Sequence, residues 1–206
     1  MDPNEVPTKG NLVRARNSLK LSRQGYELMD KKRNILIREL TKYIEQAKGI
    51  QSTIDEVYKT AYAALQRANI RMGIDTVQAI SRTVTVDESI DVRLRSVMGT
   101  EIPLVRCSKK EGGKPAYSFY STHDSLDEAE AAFLRVKELT LELAQVEIAA
   151  YRLAAGVQKT QKRANALQNI TIPHYEDLAK NIQNALEEKE REEFTRLKVI
   201  KRMKAK

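Results

Sequence analysis

Residues 12–68 read LVRARNSLKLSRQGYELMDKKRNILIRELTKYIEQAKGIQSTIDEVYKTAYAALQRA. Alternating steps of three and four from Leu12 land on Ala15, Leu19, Ser22, Tyr26, Met29, Arg33, Leu36, Leu40, Tyr43, Ala47, Ile50, Ile54, Val57, Ala61, Ala64 and Ala68, apolar everywhere but at Ser22 and Arg33. A 3.5-residue apolar period sustained this far predicts a left-handed supercoil, each seam side chain seated between residues of a facing helix. No proline interrupts the run, and at 1.5 Å per residue the helix would be roughly 85 Å long. Propensity holds an isolated helix only marginally, and each large seam residue left in water forgoes about 1.5 to 3 kcal/mol, so the stripe demands a partner.

The same chain supplies one. A second seam runs Val136, Leu139, Leu143, Val146, Ala150, Leu153, Val157, Thr160, Ala164, Leu167, and continues through Leu178, Ile182, Leu186, Phe194, Leu197 and Ile200. The pattern predicts a mostly α fold: an antiparallel two-helix coiled coil with arms over 8–72 and 125–204, joined by a compact insert over 73–124. Matching the seams predicts facing pairs such as Leu19 with Leu186, Tyr26 with Leu178, Ala47 with Val157, Ala61 with Leu143 and Ala68 with Val136. Thr8 is the expected N-cap of the first arm and Gly73 its stop, while Ser125 with Glu128 forms a capping box for the second. Pro173 predicts a kink or short break near 172–174. Gly25, inside the first arm, costs roughly 1 kcal/mol relative to Ala unless something packs on its backbone.

The insert has a different texture. Asp75 is placed to cap a short helix through Ile80. Ile90, Val92 and Leu94 then alternate with Asp91, Arg93 and Arg95, the period-two pattern of a half-exposed strand, punctuated by Gly99 and Pro103. Ile102 to Cys107 is a second apolar stretch, and Tyr117 to Tyr120 reads as a further extended piece. Two or three short strands bury too little to stand alone, so this β-hairpin element must lean on the helices or on another protein.

The 206 residues are 31% charged and 5% aromatic, with net charge +8 and a pI near 9.5. Between Thr8 and Leu40 nine basic residues face three acidic ones; Glu187 to Glu193 is acidic, and Arg196 to Lys206 holds six basic residues and no acid. Antiparallel arms would bring the termini together as a basic end with an acidic collar. A single Cys107 excludes an internal disulfide and points to a reducing, cytoplasmic setting. The chain has neither a signal peptide pattern nor an apolar run long enough to span a membrane. Gly112, Gly113 and Lys114 lack the first Gly and the final Ser or Thr of a phosphate loop, with Ser108 and Pro115 in those places. His123 and His174 are far apart, leaving no metal-ligand spacing, and no catalytic constellation or cofactor site is visible. The residues alone leave open a basic coiled coil that binds nucleic acid and one that self-assembles between chains.

Two segments carry a resemblance. Pro7 to Leu36 and, more specifically, Asn165 to Lys201 resemble the D subunit of V-type and archaeal-type rotary ATPases. The specific features are Ile172-Pro173, the run Glu187 to Phe194, and Arg196, Leu197 and Lys198. Met98 to Leu104 matches the family's approach to a Pro after a strand, and Lys109 to Asp124 matches weakly. The resemblance implies a non-catalytic central rotor shaft that couples ATP hydrolysis or synthesis in the head to ion translocation by a membrane ring. It implies partners: the catalytic A and non-catalytic B subunits, a small F-type subunit at the insert and a connector to the ring, with neither nucleic acid nor membrane insertion. It places the chain in the cytoplasm, peripheral to the membrane. The head contacts it implies are Arg16, Lys20, Arg23, Arg191, Phe194, Lys198, Lys201 and Arg202, and the F-type contacts Ile90, Val92, Leu94, Tyr117 and Phe119.

Overall fold

The computed structural model describes residues 6–84, 90–107, 117, 118, 120 and 122–204. Its elements in order are α1 (Lys9–Met72), α2 (Ile74–Ser81), β1 (Ile90–Val97), β2 (Thr100–Cys107), α3 (Asp124–Ala166), a π-helical turn (Leu167–Thr171) and α4 (Ile172–Lys204). The fold is mostly α, its helical arms pair antiparallel, and the one sheet among the described residues is a two-stranded hairpin. The chain forms two compact units, Met1–Asn34 with Val157–Lys206 and Ile35–Gly156.

In the first unit α1 starts where the sequence predicts, because the Thr8 hydroxyl accepts the Asn11 N–H at 3.2 Å and the Thr8 carbonyl accepts that of Leu12. Ala15 and Ile182 are buried, and Leu12, Leu19, Tyr26, Met29, Val157, Leu167, Leu178 and Leu186 are half-buried, as expected where only two helices share a seam. Beside the seam runs a polar ladder. Lys9 meets Glu190 at 3.2 Å, Arg16 donates to Gln183 at 2.8 Å and Arg23 to Glu176 at 2.7 Å. The three α1 residues are seven apart and so are the three on α4, the spacing at which flanking side chains recur along a two-helix seam. Arg33 continues the contact, donating to Gln161 at 2.9 Å.

No break falls at 172–174, where α4 runs on through Pro173; the irregularity is instead a π turn just before it. Proline has no N–H to give the carbonyl of Asn169. The Ile172 N–H instead bonds back five residues to Leu167, and the Thr171 hydroxyl donates to Ala166 at 3.3 Å. The half-buried residues Leu167, Thr171 and Tyr175 step by four twice in succession. Each α-helical residue turns about 100°, so two such steps would carry the seam one residue too far around. A π turn holds the extra residue and returns Leu178 and Ile182 to the face toward α1.

In the second unit Leu36, Ile54, Ala61, Val136, Val146 and Leu153 are buried, and Leu40, Ala47, Ile50, Val57 and Leu143 are half-buried. Tyr62 stacks on Tyr58 and meets the Phe133 ring edge-on at 5.7 Å, and Tyr58 reaches Thr140. Arg67 pairs with Glu128 at 3.4 Å and Arg71 with Asp124 at 3.1 Å. α1 stops at Gly73, whose φ of 84° suits a residue without Cβ.

Several expectations need correction. The facing residues differ from those predicted: Tyr62 meets Phe133, not a residue near Leu143, and Arg23 meets Glu176 where a residue beyond Leu178 was expected. The partner of Arg23 lies about five residues earlier than the predicted pairing puts it and that of Tyr62 about nine, roughly one and a half and two and a half turns, displacements that matching of apolar periods resolves poorly. The capping box is absent. α3 begins at Asp124, its carboxylate accepts the Ser125 N–H, and the buried Ser125 hydroxyl has no partner among the described residues. Asp75 lies in the first turn of α2, and Gly73 occupies the cap position without a side-chain bond. Tyr117 and Tyr120 are in a bend and a turn, not a strand, and β1 is exposed along nearly its whole length instead of half-buried. Phe119 and Gly112 to Lys114 lie outside the described residues.

Candidate docking surfaces

The first surface is the end of α4. From Glu187 to Lys204 every residue is exposed, including Phe194, Leu197, Ile200 and Met203. The Lys9–Glu190 pair is the outermost ion pair between α4 and α1 among the described residues, and α1 begins at Lys9. Arg191 and Arg196 lean on Glu187 and Glu192 one turn back, whereas Lys198, Lys201 and Arg202 have no ion-pair partner among the described residues. Long cationic side chains flanking exposed apolar ones suit a surface that is apolar within and acidic at its rim. Of the implied head contacts on α1, Lys20 is exposed and without an ion-pair partner among the described residues, but Arg16 and Arg23 are engaged with Gln183 and Glu176.

The second surface is the hairpin. Met98 and Gly99 turn it, with φ of 49° and 74°, the two positive values that a two-residue turn between twisted strands demands. β1 and β2 pair antiparallel, Val97 opposite Thr100, Leu94 opposite Pro103 and Val92 opposite Val105. β2 is the strand tied down. Ile102 is buried at 1% exposure, the Val105 N–H donates to Gln145 Oε1 at 2.7 Å, and Arg152 donates to the Glu101 carbonyl at 3.2 Å. Pro103 fits here because its missing N–H falls on the outer edge of the ladder. Gly156 lets the turn end approach α3: a Cβ there would lie 2.8 Å from Thr100 Oγ1. Ile90, Val92 and Leu94 are left exposed at 40%, 58% and 59%.

Tyr117 holds the chain beyond the hairpin against α3, its hydroxyl lying 2.7 Å from Asp127 and 2.6 Å from Glu130. Burial, followed by these bonds to carboxylates, pushes its phenol well above the usual range. Neither Gln145, Arg152, Gly156 nor the Tyr117 clamp was read from the sequence. Gly156 carried a signal, an unbroken helical pattern around a Gly, which often marks close backbone approach.

Among the described residues no three His, Cys, Asp or Glu gather where a metal ion could sit, and no helix is long and apolar enough to cross a membrane. The cleft lined by Asn11, Arg14, Ala15, Asn17, Ser18, Tyr175 and Leu178 holds neither a carboxylate nor a histidine.

The family model for the ATP synthase D subunit matches residues 11–202. The chain belongs to the ATP synthase D subunit family. It is 40% identical over 196 residues to the V-type ATP synthase D subunit of Thermotoga neapolitana, covering 95% of this chain and 96% of that protein. It is 34% identical to the A-type ATP synthase D subunits of Pyrococcus abyssi and Methanopyrus kandleri, covering 95% of this chain and 92% and 84% of theirs. This D subunit is thus a component of a V/A-type ATP synthase, and its described helices and hairpin fall inside the matched span, but for the ends of α1 and α4.

Proposed function

We propose that the chain is the central rotor shaft of its complex, a non-catalytic subunit that couples ATP hydrolysis or synthesis in the catalytic head to ion translocation by the membrane ring. The observation that carries the reading is the bare basic and apolar end of α4 in a member of this family. That end docks inside the ring of catalytic A and non-catalytic B subunits through Lys20, Arg191, Phe194, Lys198, Lys201 and Arg202. The heptad ladder on α1 and α4 resists sliding of the arms under torque, a task for which Arg16 and Arg23 serve as internal ties. Ile90, Val92, Leu94, Tyr117 and Phe119 form the contact for a small F-type subunit, and a connector subunit joins the shaft to the ring. The chain works on the cytoplasmic side, peripheral to the membrane. The test is a tagged pull-down from native membranes with the full chain and a chain ending at Leu186. The full chain should bring down A-, B- and F-type subunits. The shortened chain should keep the F-type subunit and lose coupled ion transport. A shortened chain that couples normally, or a full chain that recovers no head subunits, refutes the reading.

A further inference from the structure

Strand β1 has an open edge. In an antiparallel ladder, residues point their N–H and C=O alternately toward the partner strand and away from it. Val105 and Glu101 of β2 point away, since they bond Gln145 and Arg152 of α3. Their opposite residues on β1 are Val92 and Ser96, with Leu94 between them opposite Pro103. Ile90, Val92, Leu94 and Ser96 therefore turn their backbone groups outward on the other side of the hairpin, where no described residue bonds them. Strand edges of this length are usually blunted by a bulge, a proline or a covering helix, because they template pairing with another chain. On β2 the edge is covered by α3; on β1 no described residue bonds the outward groups of Ile90, Val92, Leu94 and Ser96.

The side chains state what would fit. On one face of β1 stand Ile90, Val92 and Leu94, all exposed; on the other stand Asp91, Arg93 and Arg95. Asp91 is consumed by Arg93 at 2.9 Å, while Arg95, and Arg106 opposite Asp91, are exposed without an ion-pair partner among the described residues. A strand laid beside β1 places alternate side chains on these two faces. We infer that the β1 edge of this hairpin takes an extended segment of a partner protein as a third strand, with apolar residues alternating with acidic ones. A second copy of β1 would set cationic faces together, which charge complementarity disfavours. The inference deepens the reading of the hairpin as a partner contact and rests on it.

Residue-resolved hydrogen exchange on the full chain, alone and in the assembly recovered by a tag on this chain, tests the pairing. In the chain alone the amides of Val92, Leu94 and Ser96 should exchange fast, with Arg93 and Arg95 slowed by the β1–β2 ladder. In the assembly the outward amides should slow by about tenfold or more, the scale of a protected ladder bond. Radical labelling of Ile90, Val92 and Leu94 separates the two readings. Labelling that falls while the outward amides stay fast keeps the hairpin contact and overturns strand addition; no change in either overturns the contact itself. Outward amides already slow in the chain alone give the edge to this chain if the protection survives dilution and to a second copy if it does not, and either result overturns the proposal. Two synthetic eight-residue strands at millimolar concentration, one alternating Val with Glu and one Val with Lys, test the chemistry on the full chain. The Val–Glu strand should slow the outward amides several-fold more than the Val–Lys strand, and an equal or reversed effect overturns the acidic assignment.

Discussion

Replacing Gly156 with Ala should change sign with the residue at position 100. A helix-interior Gly is about 1 kcal/mol worse than Ala, so Gly156→Ala alone gains about that much from the backbone. The new Cβ, however, falls 2.8 Å from Thr100 Oγ1, with Thr100 Cγ2 at 3.6 Å and Leu36 Cδ1 at 3.7 Å. Only the first of these is a clash. Either Thr100 leaves its rotamer or the turn end of the hairpin lifts from α3, and overpacking of this size costs about 1 to 3 kcal/mol. The net effect should be a loss of about 0 to 2 kcal/mol. With Thr100→Ala the obstruction is gone, and Gly156→Ala should stabilise by about 1 kcal/mol. The coupling in the double-mutant cycle is then about 1 to 3 kcal/mol. The chain holds two compact units, so global unfolding is not safely two-state. Exchange of the Val105 amide, which depends on docking to Gln145, is the local measure. If Gly156→Ala stabilises equally in both backgrounds, the hairpin does not rest on Gly156 and the account of its docking is wrong.

Gly25→Ala should stabilise the first unit by about 1 kcal/mol, because its Cβ would meet Leu167 Cδ1 at an ordinary 3.7 Å; urea unfolding of the variant checks it. Reversing Arg23 to Glu should destabilise the same unit by under about 1 kcal/mol, and adding Glu176→Arg should restore most of the loss, both effects shrinking in high salt, since the pair is about half exposed. Tyr117 has its folded pKa raised above the unfolded value near 10, so the stability it contributes is complete below about pH 10 and is lost as the pH climbs past that point. Ultraviolet titration should find one phenol of the native protein ionising later than the rest, and Tyr117→Phe should remove it.

The seams were legible in the sequence because a coiled coil writes its core as a period, and the burial of seam residues such as Leu36, Ile54, Leu153 and Ile182 follows from that period alone. Their register was not legible, since sliding one arm by a heptad exchanges Leu for Val or Ala and leaves the pattern intact. The information that breaks the tie lies beside the seam: Lys9, Arg16 and Arg23 against Glu190, Gln183 and Glu176 are matched charges and amides at the same spacing. The first strand of the hairpin could be read from its alternation and the second from its apolar run, but alternation says only that one face is apolar. It does not say whether the cover comes from within the chain, and among the described residues β1 has none. The Ser125 capping box failed because Asp124 and the His123 carbonyl already satisfy the first N–H groups of α3. Of the candidate site, the basic tail was readable from composition, whereas the engagement of Arg16 and Arg23 required knowing which α4 residues pass beside them.

The π turn makes the length of this arm negotiable at one place. Removing a residue from an ordinary stretch of α4 would swing everything after it by about 100°, carrying Ile182 out of the seam and the rungs at Gln183 and Glu190 away from α1. Between Leu167 and Thr171 a deletion subtracts the residue that the wide turn was holding, and the downstream helix keeps its azimuth. A one-residue deletion that would be ruinous elsewhere in α4 is thus absorbed there, without turning the basic tail away from whatever it faces.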